Sequence, residues 1–400
     1  MAMVGGGRGA FIGAVHRMAA ALDGRIELVC GALSADPATA EASARDLLLA
    51  EDRSYTSWGE MLDREAERAA GDRMDFVTIV TPNHLHHPVA MAALERSFDV
   101  VCDKPMSLDL RQAIELRDAV VSSGRLFCLT YNYTGYPMVK EARAVVAAGR
   151  LGTIRKVVVE YPQGWLSARL EASGQKQASW RTDPARAGAA GCMGDIGTHC
   201  LQLAEYVTGL RVDSVAADLT TFVSGRALDD DGSVLLRFVD GARGVLHASQ
   251  VAAGEENALR LRVYGERGGL DWRQEEPNSL VLRWPDRPTE IQRSGGPTAS
   301  PASRRATRLP MGHPEGFIEA FANLYRDFAL ALGARLGIAA ADAAAAAEFP
   351  GVEDGIRGMA FLEAVVASAR AQGDWTPVVA RAPGRQLASA ASRGASKGSV

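Results

Sequence analysis

A glycine cluster at the start of the chain does most to limit what it can fold into. Residues 4–13 read Val-Gly-Gly-Gly-Arg-Gly-Ala-Phe-Ile-Gly, directly ahead of a helical apolar period. Glycines between a strand and a helix let the backbone approach a pyrophosphate, and the helix N-terminus adds N–H donors and a positive dipole end. Such a loop alone is a weak signal, with a tight turn as the plainer alternative. Its context argues otherwise. β-Rich runs at 26–33, 76–81, 100–102 and 126–130 alternate with helical patterns at 10–22, 37–49, 58–68, 87–96 and 108–123. The alternation predicts βαβ units around a parallel sheet, and the nearly continuous apolar strands predict burial on both faces.

The register of the loop is irregular. Gly5-x-Gly7-x-x-Ala10 fits the dinucleotide fingerprint, yet Gly13-x-x-His16 also resembles its closing portion, so the loop reads as longer than usual. The backbone of Gly5, Gly7, Gly9, Ala10, Phe11 and Ile12 is the expected phosphate cradle. Only four residues precede Gly5, so either the first strand is short or the chain extends upstream. Ser34 and Asp36 follow the second strand, where a carboxylate takes the adenosine ribose hydroxyls and selects NAD. Asp36 is equally placed to cap the next helix. No Arg occupies 34–36 to hold a 2′-phosphate. NAD is the expected cofactor, with NADP possible.

The pattern changes after Thr134. A helix at 137–148 leads into candidate strands at 154–161, 214–223, 233–238, 244–251, 259–264 and 279–284, with Asp240-Gly241 as a hairpin turn. Helices are expected at 195–207, 314–332 and 352–371. A second, α+β domain on a mainly antiparallel sheet follows. The expected division is 1–134, 135–380, and a disordered tail at 381–400. Residues 285–310, rich in Pro, Ser, Gly and Arg, read as a mobile loop, and the alanine run 339–347 as a helix with little to pack. No internal repeat is evident.

Composition excludes several classes. A net charge of −4 gives no electrostatic case for nucleic acid. No apolar run reaches the ~18 residues of a membrane span, and the N-terminus lacks a signal layout, so a cytoplasmic protein is expected. Cys30, Cys102, Cys128, Cys192 and Cys200 form no C-x-x-C pair and read as reduced thiols. Cys192, His199 and Cys200 match no recurrent zinc spacing, so no metal is expected.

The chemistry concentrates in two segments. Thr81-Pro82-Asn83-His84-x-His86 and Cys102-Asp103-Lys104-Pro105 each follow a predicted parallel strand, at the end where open α/β sheets bind ligands. Proline restricts the backbone of Lys104 and helps aim it. Further on stand Trp180-Arg181-x-Asp183-Pro184 and Asp195-x-Gly197-x-His199. Asp195 and His199 are i and i+4, on one helix face about 6 Å apart at Cβ, where a carboxylate could orient an imidazole and raise its basicity. A lone histidine is more often structural; this pairing favours function. Tyr131, Tyr133, Tyr161, Trp165, Arg181 and His313 are candidates for a substrate cleft, since aromatic faces stack on sugar C–H surfaces. Ordinary packing competes at each position.

Together with the start of the last helix, Val352-Glu353-Asp354-Gly355, these motifs resemble the Gfo/Idh/MocA family, which includes glucose–fructose oxidoreductase and inositol dehydrogenases. The resemblance runs from Val4 to about Val378. Asp103 stands where the family more often has Glu. The resemblance implies an N-terminal Rossmann domain, a C-terminal domain on an open, mainly antiparallel sheet, NAD or NADP, a sugar or polyol substrate, and a homodimer or homotetramer. It maps the catalytic set onto Lys104, Asp195 and His199. Thr81, Pro82, Asn83, His86, Asp103, Lys104, Asn132, Trp180 and Arg181 are then expected to complete the cofactor site. His199, held by Asp195, would take the substrate hydroxyl proton, and Lys104 would hold the same oxygen or relay the proton. Two other readings compete: an NAD-dependent glycosidase acting through transient oxidation, which yields no net NADH, and a non-catalytic sensor, which should have lost the catalytic set.

Overall fold

A computed structural model describes residues 1–338, 340 and 347–379. Five strands form a parallel sheet: β1 (Ala2–Gly5), β2 (Cys30–Ala32), β3 (Phe76–Val80), β4 (Asp99–Cys102) and β5 (Phe127–Leu129), in the order β2-β1-β3-β4-β5. The crossovers are α1 (Phe11–Ala21), α2 (Pro37–Asp46), α3 (Trp58–Glu67), α4 (His86–Glu95) and α5 (Leu110–Ser123). The connection from β1 runs to β2 on one side and the chain then returns to β3 on the other. This reversal of strand order opens a crevice at the end of β1, beside the glycines. β2 is shorter than the 26–33 run because β1 offers it only Ala2–Val4 as register partners. Beyond the paired residues, Val29 bonds through its N–H to the Met1 carbonyl at 3.0 Å, and the Met1 nitrogen donates to the Glu27 carbonyl at 2.9 Å.

The remaining helices are α6 (Pro137–Ala147), α7 (Lys176–Arg181), α8 (Pro184–Ala187), α9 (Thr198–Thr208), α10 (Pro301–Arg305), α11 (Phe317–Arg335) and α12 (Val352–Arg370). The second sheet has nine strands: β6 (Ile154–Pro162), β7 (Val212–Thr220), β8 (Asp231–Phe238), β9 (Arg243–Ser249), β10 (Arg260–Gly265), β11 (Gly269–Arg273), β12 (Ser279–Arg283), β13 (Glu290–Arg293) and β14 (Thr376–Pro377). They lie in the order β13-β12-β11-β10-β6-β9-β8-β7-β14, antiparallel throughout except for the parallel β6–β9 pair. Burial alternates along the strands, as a half-covered sheet requires. In β8, Val234, Leu236 and Phe238 face in, under helices, while Ser233, Leu235 and Arg237 face out.

Two expectations change. Residues 285–310 are not one long loop: they contain β13, paired with β12, and α10. Ser300 caps α10 through its hydroxyl, with Pro301 as the first helical residue, so the Pro- and Ser-rich composition marks a helix start here. β11 is an additional strand, too short and interrupted by Asp271 to show a period. The alanine run 339–347 falls largely, and the tail from 381 wholly, outside the described residues. Among the described residues no helix is long and apolar enough to cross a membrane, and all five cysteines are buried and unpaired.

α11 returns from the second sheet to cover the first. It packs along α1. Tyr325 hydrogen-bonds His16 Nδ1 at 2.7 Å and Thr78 Oγ1 at 3.2 Å, and the Phe328 ring lies 5.0 Å from that of Phe76. The approach is close: a Cβ at Gly135 would run into the carbonyl of Ala320. Gly135→Ala should therefore lower stability by about 1–3 kcal/mol through overpacking. Denaturant unfolding checks this, and a loss under about 0.5 kcal/mol would show that α11 shifts freely.

Candidate functional site

All five parallel strands end at one crevice, and each contributes a named group. After β1, Gly5, Gly6 and Gly9 take φ of +81°, +74° and +74°, a conformation other residues adopt only with strain. Gly7 donates its N–H to the Leu33 carbonyl at 3.0 Å, and a Cβ on it would lie 2.6 Å from Ser43 Oγ. Ala10 donates to Gly7 and serves as the N-cap of α1, and a Cβ on Gly13 would collide with Gly6. Gly13, rather than Ala10, therefore closes the fingerprint, and this lengthens the loop. α1 starts at Phe11 with no side-chain cap and no acid in its first turn, so its leading N–H groups have no side-chain partner. A cradle with no Cβ over an uncapped helix end fits a pyrophosphate.

At the end of β2, Asp36 caps α2, accepting from Thr39 N at 2.8 Å and Thr39 Oγ1 at 2.5 Å. Ser34 Oγ accepts from the Asp36 N–H. After β3, Thr81 Oγ1 is buried without a partner, while Asn83 is committed elsewhere, donating to the Ala187 carbonyl at 2.9 Å. His86 is also committed. Its Nδ1 lies 2.7 Å from the Pro105 carbonyl and its Nε2 2.9 Å from that of Thr81, so the ring is wedged between the ends of β3 and β4, and its one N–H donates to one of these two carbonyls. Asp103 Oδ1 accepts from Thr130 Oγ1 at 2.6 Å and Lys104 N at 3.2 Å, joining the ends of β4 and β5. Asn132, after β5, is buried with its Nδ2 unpaired. Thr81 and Asn132 are thus the orphaned polar groups a bound nicotinamide ribose or amide would satisfy.

Lys104 follows β4 at a cis Lys104–Pro105 peptide. Its amine donates to Asp195 Oδ1 at 2.8 Å and to the Asp195 carbonyl. Asp195 sits in a single π-type turn, Met193–Gly197, that leads into α9. Its Oδ2 accepts from Arg181 Nε at 3.0 Å and Gln250 Nε2 at 2.8 Å. This corrects the sequence expectation that Asp195 orients His199. Charge-assisted bonds to Lys104 and Arg181 outcompete a neutral ring, and His199 makes no hydrogen bond to the carboxylate.

Aromatic edges hold His199 instead. The rings of Tyr133, Tyr131 and Tyr161 lie 4.8, 5.6 and 6.3 Å from it. Tyr131 is therefore a buried backing residue, its hydroxyl turned towards Gly358, and does not line an open cleft. Tyr133 and Tyr161 are buried too. Their hydroxyls bond each other, and Tyr161 continues to Asn257 Oδ1 at 2.6 Å. Gln163 donates to the same oxygen at 2.7 Å and accepts from Trp165 Nε1 at 3.1 Å. Arg181 stacks over Trp180 at 4.2 Å, which steadies the guanidinium that bonds Asp195. His313 is exposed on a turn, and among the described residues its ring bonds the Pro310 carbonyl rather than any of the groups gathered around Asp195. Gln163, Gln250 and Asn257 had no motif to reveal them; only strand pairing brings them here.

Burial pushes the Asp195 carboxyl up, but Arg181 and Lys104 outweigh it and hold the group far below the usual carboxylate range. Burial and nearby Lys104 hold His199 well below its ordinary value, so its ring is neutral, with Nδ1 buried and unpaired. Burial raises Tyr133 to about 12, leaving it a neutral hydroxyl.

A glycine cradle at a sheet crevice, faced by a lysine, a carboxylate and a neutral imidazole, defines a nicotinamide-dependent dehydrogenase. Residues 1–131 match the oxidoreductase-family NAD-binding Rossmann fold of Gfo/Idh/MocA, and residues 139–271 match the GFO/IDH/MocA C-terminal domain. The chain belongs to the Gfo/Idh/MocA family, and it is an NAD(P)-dependent oxidoreductase acting on CH–OH groups. The uncharacterized oxidoreductase YfiI of Bacillus subtilis (strain 168) is 30% identical over 377 residues, 94% of this chain and 95% of that protein. An inositol dehydrogenase homolog from Azotobacter vinelandii, complexed with NADH and myo-inositol, superposes with a TM-score of 0.87 at 34% identity, covering 94% of this chain and 96% of that one. Levoglucosan dehydrogenase of Pseudarthrobacter phenanthrenivorans is 27% identical over 310 residues, 70% of this chain and 75% of that protein.

The electrostatics predict a pH dependence of stability. Burial lowers His16, His86 and His199 below the ordinary value of 6.5. A lowered histidine is neutral when folded and charges only on unfolding, so its contribution is complete above 6.5 and declines as the pH falls below it. Each adds a slope of up to ~1.4 kcal/mol per pH unit in that range. Denaturant unfolding between pH 7.5 and about pH 5.5 should show falling stability; a flat profile would mean that the rings are charged in the fold.

Proposed function

We propose that this chain oxidises a secondary hydroxyl of a cyclic polyol, sugar or glycoside, with residues 1–134 holding the cofactor and 135–380 the substrate. One observation carries the reading: the Lys104 amine, at a strand end of the first sheet, lies 2.8 Å from Asp195 at the head of α9, with His199 on the same helix start. The polar groups of Gln163, Gln250 and Asn257 suit a substrate rich in hydroxyls, and the myo-inositol complex of the A. vinelandii homolog supports a cyclic polyol.

The bound nicotinamide supplies the hydride acceptor. Everything else falls to side chains. Lys104, a donor fixed by Asp195, holds the reacting oxygen and stabilises the charge that develops on it. His199, neutral at working pH, takes the hydroxyl proton. Arg181 and Gln250 hold Asp195, and through it Lys104. The three tyrosines fix the imidazole plane and keep water from its buried side.

Lys104→Ala and His199→Ala should each cut kcat by about 10²–10⁴-fold while NAD binding changes little, and the double variant should lose less than the product. A screen of NAD and NADP reduction across cyclitols, sugars and glycosides supplies the substrate. Near-normal kcat in both variants, or activity confined to simple aliphatic alcohols, would defeat the reading; turnover of a glycoside without net NADH would transfer it to glycosidase chemistry.

The outward face of the second sheet carries Leu235, Tyr264 and Ile291 exposed beside arginine–carboxylate pairs. Two or four copies are proposed to pair through it. Light scattering should report a dimer or tetramer, and Leu235→Lys should weaken it. A monomeric wild-type chain would rule this out.

A further inference from the structure

We infer that the Arg8–Asp46 ion pair is a cofactor-selecting device: Asp46 holds the one cation of the glycine loop away from the place a 2′-phosphate would occupy. The inference rests on reading this crevice as the adenosine end of the cofactor site. Arg8 is the only basic residue in the glycine loop or among residues 33–36. Its backbone N–H donates to Ser43 Oγ at 2.9 Å, and its neighbour Gly7 bonds Leu33. The residue therefore stands between the end of β2 and the flank of α2. A cation there is suited to a phosphate on the ribose, because a guanidinium binds phosphate through two parallel N–H···O bonds.

The guanidinium is already engaged in that geometry, by a different anion. Arg8 Nε lies 2.5 Å from Asp46 Oδ2, and Nη2 lies 2.6 Å from Oδ1. Asp46 is the last residue of α2, whereas Asp36 caps its beginning. At 1.5 Å per residue the two ends are about 15 Å apart. Arg8 is thus drawn towards the far end of α2, and the near end presents the Asp36 carboxylate. Together the two acids disfavour a 2′-phosphate, one by repulsion and one by occupying its natural partner.

Arg8 and Asp46 are exposed, at 57% and 50% of their side-chain surface, so the pair is weak and exchangeable. A small change should therefore shift the balance. Asp46→Asn keeps the shape of the side chain and removes its charge, which frees Arg8 to swing back along α2.

The test is a binding titration of NAD and NADP, followed by protein fluorescence, on the wild-type chain, Asp46→Asn, Arg8→Gln and the double variant. The wild type should bind NAD more tightly than NADP. Asp46→Asn should tighten NADP by about three- to tenfold and leave NAD within about twofold. The gain should shrink as salt is added, and the double variant should lose it. An unchanged NADP-to-NAD ratio in Asp46→Asn would overturn the inference. So would a gain that persists without Arg8, since that would reflect only the loss of a negative charge. A wild-type chain that binds neither nucleotide would instead bring down the reading of the cofactor site.

Discussion

The Asp195 carboxylate is the point on which the rest of the arrangement depends. It is largely buried, and a buried charge persists only if it is paired and hydrogen-bonded. Its partners come from three separate places: Lys104 at the end of β4, Arg181 at the end of α7, and Gln250 just past β9. Satisfying one carboxylate thus draws the first sheet, the α7 segment and the second sheet to a common point. That point is also where the proposed chemistry occurs. A lysine held on a carboxylate is a fixed donor, and a neutral histidine nearby is left as the group able to accept a proton. The same interaction docks the two halves and separates donor from acceptor.

The cofactor end obeys a different constraint, that of close backbone approach. Gly6 and Gly13 touch where any side chain would intrude, and Gly7 sits against Ser43 and the Leu33 carbonyl. The loop is therefore as tightly defined as a core, although it borders an open crevice. Support comes from outside the first sheet, because α11 packs on α1 and Tyr325 bonds His16 and Thr78. The nucleotide half is completed by a helix that follows the second sheet in the chain.

Much of this was legible beforehand. Strand and helix periods of the first half were clear because each element buries a continuous apolar face, and observed bounds fall close to those read from the pattern. Elements that depend on a distant partner were not. β11 and β13 exist because neighbouring strands supply ladder bonds, and β2 is confined to Cys30–Ala32, the residues that β1 holds in register. At the site, Lys104, Asp195 and His199 stood out through motif and spacing. His86 shared that prominence, yet its ring is wedged between the Pro105 and Thr81 carbonyls, because the turns after β3 and β4 converge on it.

Sequence alone determined the class of fold, the family, and which residue types stand at the ends of the parallel strands, since local period, glycine placement and short motifs are properties of neighbouring residues. Tertiary structure decided the partnerships. Spacing placed His199 beside Asp195, but the carboxylate turned to Lys104 and Arg181 because charged donors bind it more strongly than a neutral ring. Three tyrosines that could have lined a cleft became the backing of an imidazole. Gln163, Gln250 and Asn257 entered the site with no motif at all. Such contacts join residues far apart in the chain, and only the register of the second sheet and its docking against the first fix which of many polar groups meet.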